Sequence, residues 1–452
     1  MPSPAMTADE KRGLSRVIAA SSAGTLIEWY DFYIFGSLAA TFGAHFFPSN
    51  GDETAALLKA FATFAVGFVV RPFGAFFFGR LGDLVGRKYT FLLTLLLMGG
   101  STFAIGILPT YGQIGVAATA LLVLLRAVQG LALGGEYGGA ATYVAEHSPV
   151  GRRGFYTSFI QTTATLGLFV SIIVILLCRN AVGKDAFEDW GWRIPFLLSS
   201  VLVVFSYLIR RNMEESPEFA EMKAGGKTSK NPLKEAFGNT ENLRWVLLAL
   251  FGATAGQGVV WYTAQFYALS FMQDTLKVDK GVAGTVMLVA LALATPFFIL
   301  FGSLSDRVGR KKVMMAGMVL GAVGFIPMFN LLTVAAGYDA ATKSSSNPNV
   351  PMLVAVVFVM VLFVTMVYGP IAAFLIELFP TRIRYTSMSV PYHIGNGIFG
   401  GLVPFVSTAL VASSGNLFAG LWYPVGVAAA TFVIGSLFLK EREHETTDPL
   451  PG

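Results

Sequence analysis

The chain is divided by apolar segments that are each long enough to cross a lipid bilayer. A helix rises roughly 1.5 Å per residue, so about 20 apolar residues cross a hydrocarbon core of about 30 Å. Of the 452 residues, 54% are hydrophobic and 13% are charged. An ordinary soluble domain has roughly 25% charged residues. The sequence therefore predicts an integral membrane protein made of helices in contact with a lipid bilayer.

Twelve such spans can be placed along the chain. The polar segment 210–244 is predicted to link a half at 17–209 to a half at 245–439, with tails at 1–16 and 440–452. The first tail lacks a cleavage pattern, so span 1 is expected to be retained. The predicted spans fall near 17–43, 55–79, 89–108, 114–143, 155–178, 194–209, 245–271, 282–304, 313–334, 351–376, 385–411 and 418–439.

Lysine and arginine are distributed unequally between the two sides of these spans. With the N-terminus in the cytoplasm, 23 of the 32 lie on the cytoplasmic side and 7 on the other. Cytoplasmic loops of membrane proteins carry such an excess. We therefore expect both termini in the cytoplasm of a bacterial-type inner (plasma) membrane. Because the basic residues flank spans, the net charge of +5 does not indicate nucleic-acid binding.

Two short motifs occur once in each half. The basic loop at 79–88, GRLGDLVGRK, recurs at 302–311 as GSLSDRVGRK, at an offset of 223 residues. The segment EHSP at 146–149 recurs as ELFP at 377–380, at an offset of 231 residues. Two motifs at nearly one offset indicate a duplication. Related halves around a site near the bilayer midplane are how secondary transporters achieve alternating access.

The twin basic loops resemble the signature of the major facilitator superfamily. Four further segments resemble its metabolite:proton symporter family, and these are EWYDF at 28–32, RPFG at 71–74, RAVQGLALGGEYGG at 126–139 and WGWRIPF at 190–196. The resemblance implies an all-α membrane fold of twelve transmembrane helices, in two six-helix halves related by a pseudo-twofold axis. Members carry carboxylates, such as citrate, 2-oxoglutarate or shikimate, or zwitterionic osmolytes, such as proline and betaine. Span 5 lacks the Gly-rich, Pro-containing motif of drug antiporters, which favours symport.

Apart from Lys59 at the outer end of span 2, five charged residues fall within the predicted spans, namely Glu28, Asp31, Arg71, Arg126 and Glu136. A charge at the bilayer centre costs about 2.5–3.5 kcal/mol on insertion scales, so these residues should face protein and are functional candidates. Glu28 and Asp31 are three residues apart on one helix, and their mutual repulsion favours proton binding. We interpret them as proton-coupling candidates, with Glu136 in a proton exit. The alternative is a permanent structural pair between a span 1 carboxylate and Arg126.

Arg126 and Gln129 form part of a polar stripe on span 4, which is otherwise built of Leu, Ala and Gly. A guanidinium can bind a carboxylate through two parallel hydrogen bonds, so Arg126 is the first candidate for a solute anchor. Arg71 and Tyr30, both within segments that resemble the family, are added to the predicted solute site. For Arg71, the alternative is charge balance with Glu136.

The second half offers a neutral and aromatic set of candidates. Three of them recur at four-residue intervals on span 7 and therefore share one helix face. Such a wall could orient a solute or stack on a methylated ammonium group, and the alternative is packing between helices. The candidates are Gln257, Trp261 and Gln265 in span 7, Tyr368 in span 10, and Tyr392, His393 and Asn396 in span 11.

The repeated motifs are predicted to form gates on the cytoplasmic side. Asp83 is expected to accept hydrogen bonds from the N-terminal end of span 11, with Asp306 as its counterpart in the second half. The resemblance implies two ion pairs, Arg87 with Glu146 and Arg310 with Glu377.

Together these features predict a proton-coupled symporter that takes up a small mono- or dicarboxylate and works as a monomer. The proton is the only coupling ion expected, and neither a metal site nor a cofactor is predicted. No nucleophile constellation or nucleotide-binding loop indicates an enzyme. Two alternatives remain: symport of a zwitterionic osmolyte, and a membrane sensor that binds a solute without transporting it.

Overall fold

A computed structural model describes residues 8–48, 51–84, 87–135, 137–146, 148–149, 151–211, 237–238, 240–379 and 384–440. Within these residues the chain is almost entirely helical. The one strand pair among them is a short hairpin of Tyr338–Asp339 with Ser344–Ser345. Glu136 and residues 212–236 of the predicted linker lie outside the described residues.

The first six spans are helices that are interrupted at a few points. Residue Asp52 begins span 2, where its side chain accepts a hydrogen bond of 3.0 Å from the Ala55 amide. The helices are Ala8–Ser37 and Ala39–Phe46 (span 1), Glu53–Val69 and Arg71–Leu84 (span 2), Arg87–Ile107 (span 3), Tyr111–Ile114, Val116–Gly134 and Tyr137–Glu146 (span 4), Arg153–Val182 (span 5), and Lys184–Ala186, Phe187–Gly191 and Arg193–Arg211 (span 6).

The second six spans repeat this arrangement. Span 7 is a single rod of α- and π-helical turns, with segments Thr240–Ala249, Leu250–Thr254, Ala255–Tyr262, Thr263–Tyr267, Ala268–Ser270 and Phe271–Thr275. The other helices are Lys280–Val308 (span 8), Arg310–Ala335 (span 9), Val350–Tyr368 and Ile371–Leu378 (span 10), Arg384–Ile394, Gly395–Gly400 and Val403–Ser414 (span 11), and Ala419–Leu421 and Trp422–Phe438 (span 12).

The twelve predicted spans all correspond to helices. Among the described residues, nine helices are long and apolar enough to cross a membrane, and Leu92–Ile107 and Arg193–Phe205 are shorter apolar helices. The helix Ala8–Ser37 supplies the remaining span. The predicted all-α membrane architecture is therefore confirmed. Both basic loops follow an even-numbered span, so they lie on one face of the molecule, here named the basic-loop face, and the other is named the opposite face.

Spans 2 and 4 approach each other backbone to backbone. A Cβ atom added at Gly130 would lie 1.9 Å from the Gly67 carbonyl oxygen, and one at Gly134 would lie 2.1 Å from that of Arg71. One added at Gly74 would lie 2.0 Å from the Leu131 carbonyl oxygen. Small residues allow such close contacts between membrane helices. This packing holds Arg71 of span 2 close to span 4.

The halves meet chiefly along two pairs of helices. Span 5 packs against span 8, and span 11 packs against both helices of span 2. At the basic-loop face, a Cβ added at Gly154 of span 5 would lie 2.5 Å from the Gly302 carbonyl oxygen of span 8, and the reverse distance is 2.6 Å. The halves are therefore in close backbone contact at the basic-loop face.

The contact between spans 2 and 4 predicts that Gly130→Ala destabilises the protein. The new methyl group meets a backbone oxygen that cannot rotate away, and overpacking typically costs about 1–3 kcal/mol or more. We expect a lower midpoint of thermal unfolding for the purified protein in detergent.

Gly100→Ala is the matched control, because a Cβ at that helical position has nothing within 4 Å. It should leave the midpoint unchanged or raise it slightly, since Ala favours helix over Gly by about 0.5–1 kcal/mol. Equal effects of the two substitutions would contradict the packing described.

Candidate functional site

A cavity with an empty volume of about 250 Å³ lies between the two halves. Its walls come from spans 1, 2 and 4 of the first half and from span 11 of the second. Four of its residues were predicted site residues, namely Glu28, Arg71, Tyr392 and His393, and the others are Thr25, Trp29, Leu133 and Tyr137. The cavity therefore joins the charged residues of the first half to a polar and aromatic wall of the second.

Arg71 is completely buried at the wall of this cavity. Its guanidinium lies over three aromatic rings, at 5.1 Å from the centroid of Trp29, 4.6 Å from Phe32 and 4.1 Å from Phe68. Rings at these distances attract a cation through their quadrupoles, but they accept few directed hydrogen bonds. The Nε and Nη2 groups have no hydrogen-bond partner. Arg71 can therefore donate to an anion in the cavity.

Arg126 is a second completely buried guanidinium near the first. Its Nη1 donates to the Gln129 side-chain oxygen at 2.6 Å, whereas its Nε and Nη2 have no partner. Its Cζ lies 4.2 Å from the ring centroid of Phe32, so Phe32 contacts both guanidiniums. A Cβ added at Gly67 would lie 3.1 Å from Nη2, so glycine provides the space for this side chain.

Asp31 lies beside a chain of hydrogen bonds that starts at Arg126. Gln129 accepts from Arg126 and donates its Nε2 to the Thr102 hydroxyl at 2.7 Å. The hydroxyl groups of Thr102 and Ser199 lie next to the buried Asp31 carboxylate. No ion pair joins Arg126 to Asp31 in the described part of the chain. The Thr102 hydroxyl donates to the Met98 carbonyl at 2.9 Å, so the hydrogen-bonded chain from Arg126 ends beside Asp31 without including its carboxylate.

The side chains of span 1 point to different neighbours. Glu28 faces the cavity, whereas Asp31 lies beside spans 3 and 6 within the first half. Tyr30 donates its hydroxyl to the Pro195 carbonyl at 2.7 Å and so contacts span 6 rather than the cavity. The expectation that Tyr30 binds solute does not fit this placement. Three residues of separation put the two carboxylates about 60° apart around the helix, which is enough to separate them.

The polar residues of span 7 contact protein rather than the cavity. Gln257 and Asn396 form two reciprocal amide hydrogen bonds, of 3.0 and 2.8 Å, that join spans 7 and 11. Gln265 donates to the Thr165 hydroxyl of span 5 at 3.4 Å and so links the two halves. In this conformation they serve packing, which was the alternative interpretation of the span 7 face.

Aromatic rings close the space between the halves on the side of the opposite face. Tyr33 of span 1 stacks on Trp261 of span 7, with centroids 5.3 Å apart, and contacts Phe266 at 5.0 Å. Phe68 of span 2 meets Tyr262 edge to face at 5.0 Å. Trp261 thus belongs to a contact between the halves.

A second aromatic contact closes the cavity on the side of the basic-loop face. Tyr137 of span 4 and Tyr392 of span 11 stack in parallel, with centroids 3.7 Å apart. Each hydroxyl has its own hydrogen-bond partner. Gln161 donates to the Tyr137 hydroxyl, and the Tyr368 and Tyr392 hydroxyls share a hydrogen bond of 2.8 Å. Tyr368 therefore supports the stack and does not line the cavity. Breaking this stack would open a route from the cavity toward the basic loops.

His393 is the remaining predicted residue at the cavity wall. It is 1% exposed, its ring is perpendicular to that of Tyr392, and neither ring nitrogen has a hydrogen-bond partner. A buried imidazole without partners is costly unless something binds it. It can therefore donate to or accept from a bound molecule.

The basic-loop face carries a polar contact between the halves. Asp306 accepts hydrogen bonds from the amides of Gly154 and Phe155, at 2.9 and 2.8 Å, at the N-terminal end of span 5. Arg310 forms ion pairs with Asp306 at 2.6 Å and with Glu377 at 3.2 Å, so the predicted Arg310–Glu377 pair is present. Asp306 thus accepts hydrogen bonds from the N-terminal end of a helix in the other half, which is the role that was predicted for Asp83 in the first half. The side chains of Asp83, Arg87 and Glu146 lie outside the described part of the chain.

Three ion pairs join the halves at the opposite face, and these are Lys184–Asp279 at 2.7 Å, Lys280–Glu188 at 3.0 Å and Lys277–Glu53 at 3.5 Å. The hydrogen bond from Lys184 holds the pKa of Asp279 below its ordinary value of 3.8. This pair is therefore intact at neutral pH and is lost only as the pH falls through that lowered pKa. With contacts between the halves at both faces, the cavity is closed at both ends.

Comparison with known families assigns the two halves separately. Residues 17–235 match the family "Sugar (and other) transporter", and residues 258–452 match "Major Facilitator Superfamily". Among solved structures, the chain is similar to the proton:xylose symporter XylE bound to 6-bromo-6-deoxy-D-glucose. The TM-score is 0.74 at 18% identity, covering 96% of this chain and 97% of that one. That likeness shows a common fold.

Curated relatives are more similar in sequence. The alpha-ketoglutarate permease of Escherichia coli (strain K12) is 34% identical over 440 residues, which cover 96% of each chain. The inner membrane metabolite transport protein YhjE of the same strain is 35% identical, covering 96% of this chain and 95% of that one. The proline/betaine transporter of the same strain is 33% identical, covering 97% of this chain and 85% of that one.

The contacts of Asp306 predict that Asp306→Ala opens the basic-loop face. Two amide hydrogen bonds to a carboxylate are lost across the halves, and a loss of about 1.4 kcal/mol raises the open population about tenfold. A reporter cysteine in place of Ser158, which is fully buried near Gly302, should react about tenfold faster with a maleimide in a Cys178→Ser background.

Asp339→Ala is the control, because Asp339 also accepts a backbone hydrogen bond, from Ala341, but within one half at the opposite face. The reporter cysteine should react at the same rate in Asp339→Ala as in the protein that carries the reporter without a further substitution. An unchanged rate for Asp306→Ala would show that Asp306 does not hold the halves together.

Proposed function

This chain belongs to the metabolite:proton symporter family of the major facilitator superfamily, and from that premise we propose that it takes up a small organic acid together with a proton. The observation that carries the proposal is the pair of buried guanidiniums, Arg71 and Arg126, whose Nε and Nη2 groups lack hydrogen-bond partners. Transport proceeds by alternating access, in which the halves rock about the central cavity.

The charge and donors of the site favour an anionic solute. Unpaired N–H groups of a buried cation cost free energy, and a carboxylate can accept two of them in parallel. Arg71 lies at the cavity wall, whereas Arg126 does not line the cavity but contacts Phe32 as Arg71 does. His393 lines the same cavity from the second half and is placed to bind the other end of the solute. The cavity is narrow in this closed conformation, so we propose that the halves move apart to admit a small mono- or dicarboxylate.

Asp31 supplies the proton site in this proposal. While it is ionised, it attracts Arg126 through Gln129 and Thr102 and so weakens the pull of Arg126 on a solute. Protonation removes that attraction and leaves the guanidinium to the solute carboxylate. Because coupling between two sites is reciprocal, solute binding also strengthens proton binding. Glu28, at the cavity wall, is the second candidate, and Glu136 remains a proposed exit.

The remaining parts of the proposal follow from topology and charge. The basic-loop face is assigned to the cytoplasm with both termini, and the opposite face to the outside of an inner membrane. The proton is the only coupling ion, the monomer is the working unit, and neither a cofactor nor catalysis is invoked. The cytoplasmic gate is proposed to be completed by two further contacts, an ion pair of Arg87 with Glu146 and hydrogen bonds of Asp83 with the end of span 11.

A zwitterionic osmolyte is the second candidate solute. The rings of Trp29, Tyr137 and Tyr392 line the cavity and can surround a methylated ammonium, while an arginine holds the carboxylate. The similar proline/betaine transporter agrees with this candidate. The two candidate solute classes are distinguished by measuring which solutes stabilise the purified protein against thermal unfolding. One set is 2-oxoglutarate, citrate and succinate, and the other is proline and betaine. A sensor would bind its solute without accumulating it in proteoliposomes.

Arg126→Lys is predicted to lose solute affinity although it keeps the charge. Lysine cannot form the two parallel hydrogen bonds, and a charged hydrogen bond is worth about 1.5–3 kcal/mol. The concentration of carboxylate that gives half the thermal shift should rise at least about tenfold.

Arg152→Lys, at an exposed position of the basic-loop face, is the control and should bind as the wild type does. Undiminished affinity of Arg126→Lys would remove Arg126 from the solute site.

Asp31→Asn is predicted to separate exchange from accumulation. The amide mimics the protonated acid, so labelled solute should still exchange for unlabelled solute across a proteoliposome membrane. Accumulation driven by an imposed pH gradient should fall to background. Asp185→Asn, at an exposed position, should retain both activities. Gradient-driven accumulation by Asp31→Asn would assign the proton to another group.

A further inference from the structure

A second cavity, separate from the central one, opens between the halves at the opposite face. Its empty volume is about 500 Å³, and it is lined by spans 1, 5, 7 and 8 and by the start of span 6. The charged residues in its wall are Arg179, Glu188 and Lys280. Two cations and one carboxylate leave it with a charge of +1.

The Glu188 carboxylate accepts hydrogen bonds from two of the donors in this cavity. Its Oε1 accepts from Lys280 at 3.0 Å, and its Oε2 accepts from the Thr41 hydroxyl at 2.9 Å. Lys280 belongs to the second half, whereas Thr41 and Glu188 belong to the first. The cavity thus already holds one carboxylate, which belongs to the protein and joins the two halves.

Further donors in the wall are not used by Glu188. The Nε of Arg179 and the hydroxyl of Ser37 are buried and have no hydrogen-bond partner. The side chains of Lys280 and Glu188 are 37% and 35% exposed, so water and solutes reach the ion pair. An ion pair at that exposure is weak, typically about 0–1 kcal/mol, and a competing anion can displace it.

We propose that this cavity is an outer binding site for the carboxylate of the solute, at which the solute competes with Glu188 for Lys280. Arg179 and Lys280 hold the incoming carboxylate, and Glu188 is released. Because Lys280–Glu188 joins the halves, its release loosens the opposite face while a solute waits there. The proposal rests on the carboxylate uptake proposed above, and it adds a site that the central cavity does not include.

The charge of this cavity also selects among solutes at the entrance. A single net positive charge in a cleft raises the local concentration of an anion, and this effect falls with ionic strength. A zwitterion has no net charge and gains little from it. The outer site therefore favours anionic solutes before they reach Arg71.

The test measures the uptake of labelled lactate, succinate or 2-oxoglutarate, whichever the wild type accumulates best, from the medium outside whole cells. Arg179→Gln and Lys280→Gln should each raise KM about five- to tenfold and leave the maximum rate within about twofold. Glu188→Gln should lower KM about two- to fivefold, because the resident competitor has lost its charge. The differences in KM between these variants and the wild type should become smaller at high salt.

Lys184→Gln is the matched control, since it also breaks an ion pair between the halves at the opposite face, with Asp279, but does not line the cavity. Its KM should match that of the wild type. If Lys184→Gln behaves like Lys280→Gln, the effect comes from loosening the halves and the outer site is wrong. An unchanged or raised KM in Glu188→Gln would overturn the competition.

The wild type distinguishes this proposal from the one on which it rests. If the wild type accumulates none of the three acids, carboxylate uptake fails and the outer site fails with it. If it accumulates one and the variants keep its KM, only the outer site is overturned.

Discussion

The rest of the structure depends on keeping two guanidiniums charged in the interior of a membrane protein. Arg71 and Arg126 are both fully buried, and a charge at the bilayer centre costs about 2.5–3.5 kcal/mol on insertion scales. Aromatic rings surround both groups, and Phe32 contacts both. Rings offset part of the cost but leave N–H donors unused. A site built in this way is completed by an anion that binds and dissociates.

The neighbouring backbone is arranged around that requirement. Gly67 makes room for the Arg126 guanidinium, and the contact of Gly134 with the Arg71 carbonyl holds spans 2 and 4 together. Both guanidiniums belong to the first half. The second half adds Tyr392, His393 and ring stacks that can part without separating an ion pair in the membrane. The charged contacts described between the halves lie instead at the two faces, where water can solvate their groups when they open.

Much of this arrangement could be predicted from the sequence, because it follows from local rules. The length of the apolar segments predicts the spans, and the repeat of the basic loops predicts two halves. The cost of burying a charge in a membrane selects Arg71, Arg126, Glu28 and Asp31 by their positions within apolar segments. The Arg310–Glu377 pair follows from the family resemblance, and the span 4 glycines follow from helix packing.

The sequence could not show which neighbour each side chain faces, because helical spacing alone does not define it. Tyr30 follows Trp29 by one residue, and a rotation of about 100° turns it to Pro195 while Trp29 lines the cavity. Gln257 was expected to face a solute, but Asn396 lies opposite and the two amides satisfy each other. Tyr137 was missed because one aromatic residue beside Glu136 gives no sign that it stacks on Tyr392, 255 positions along the chain.

The central claim is that an anion and a proton cross together through this site. The most direct measurement is the external pH of lightly buffered proteoliposomes, with no imposed gradient, when the carboxylate that stabilises the protein is added outside. The account predicts an alkalinisation that follows solute uptake and is absent in Asp31→Asn. Solute uptake with no change in external pH in the wild type would contradict it.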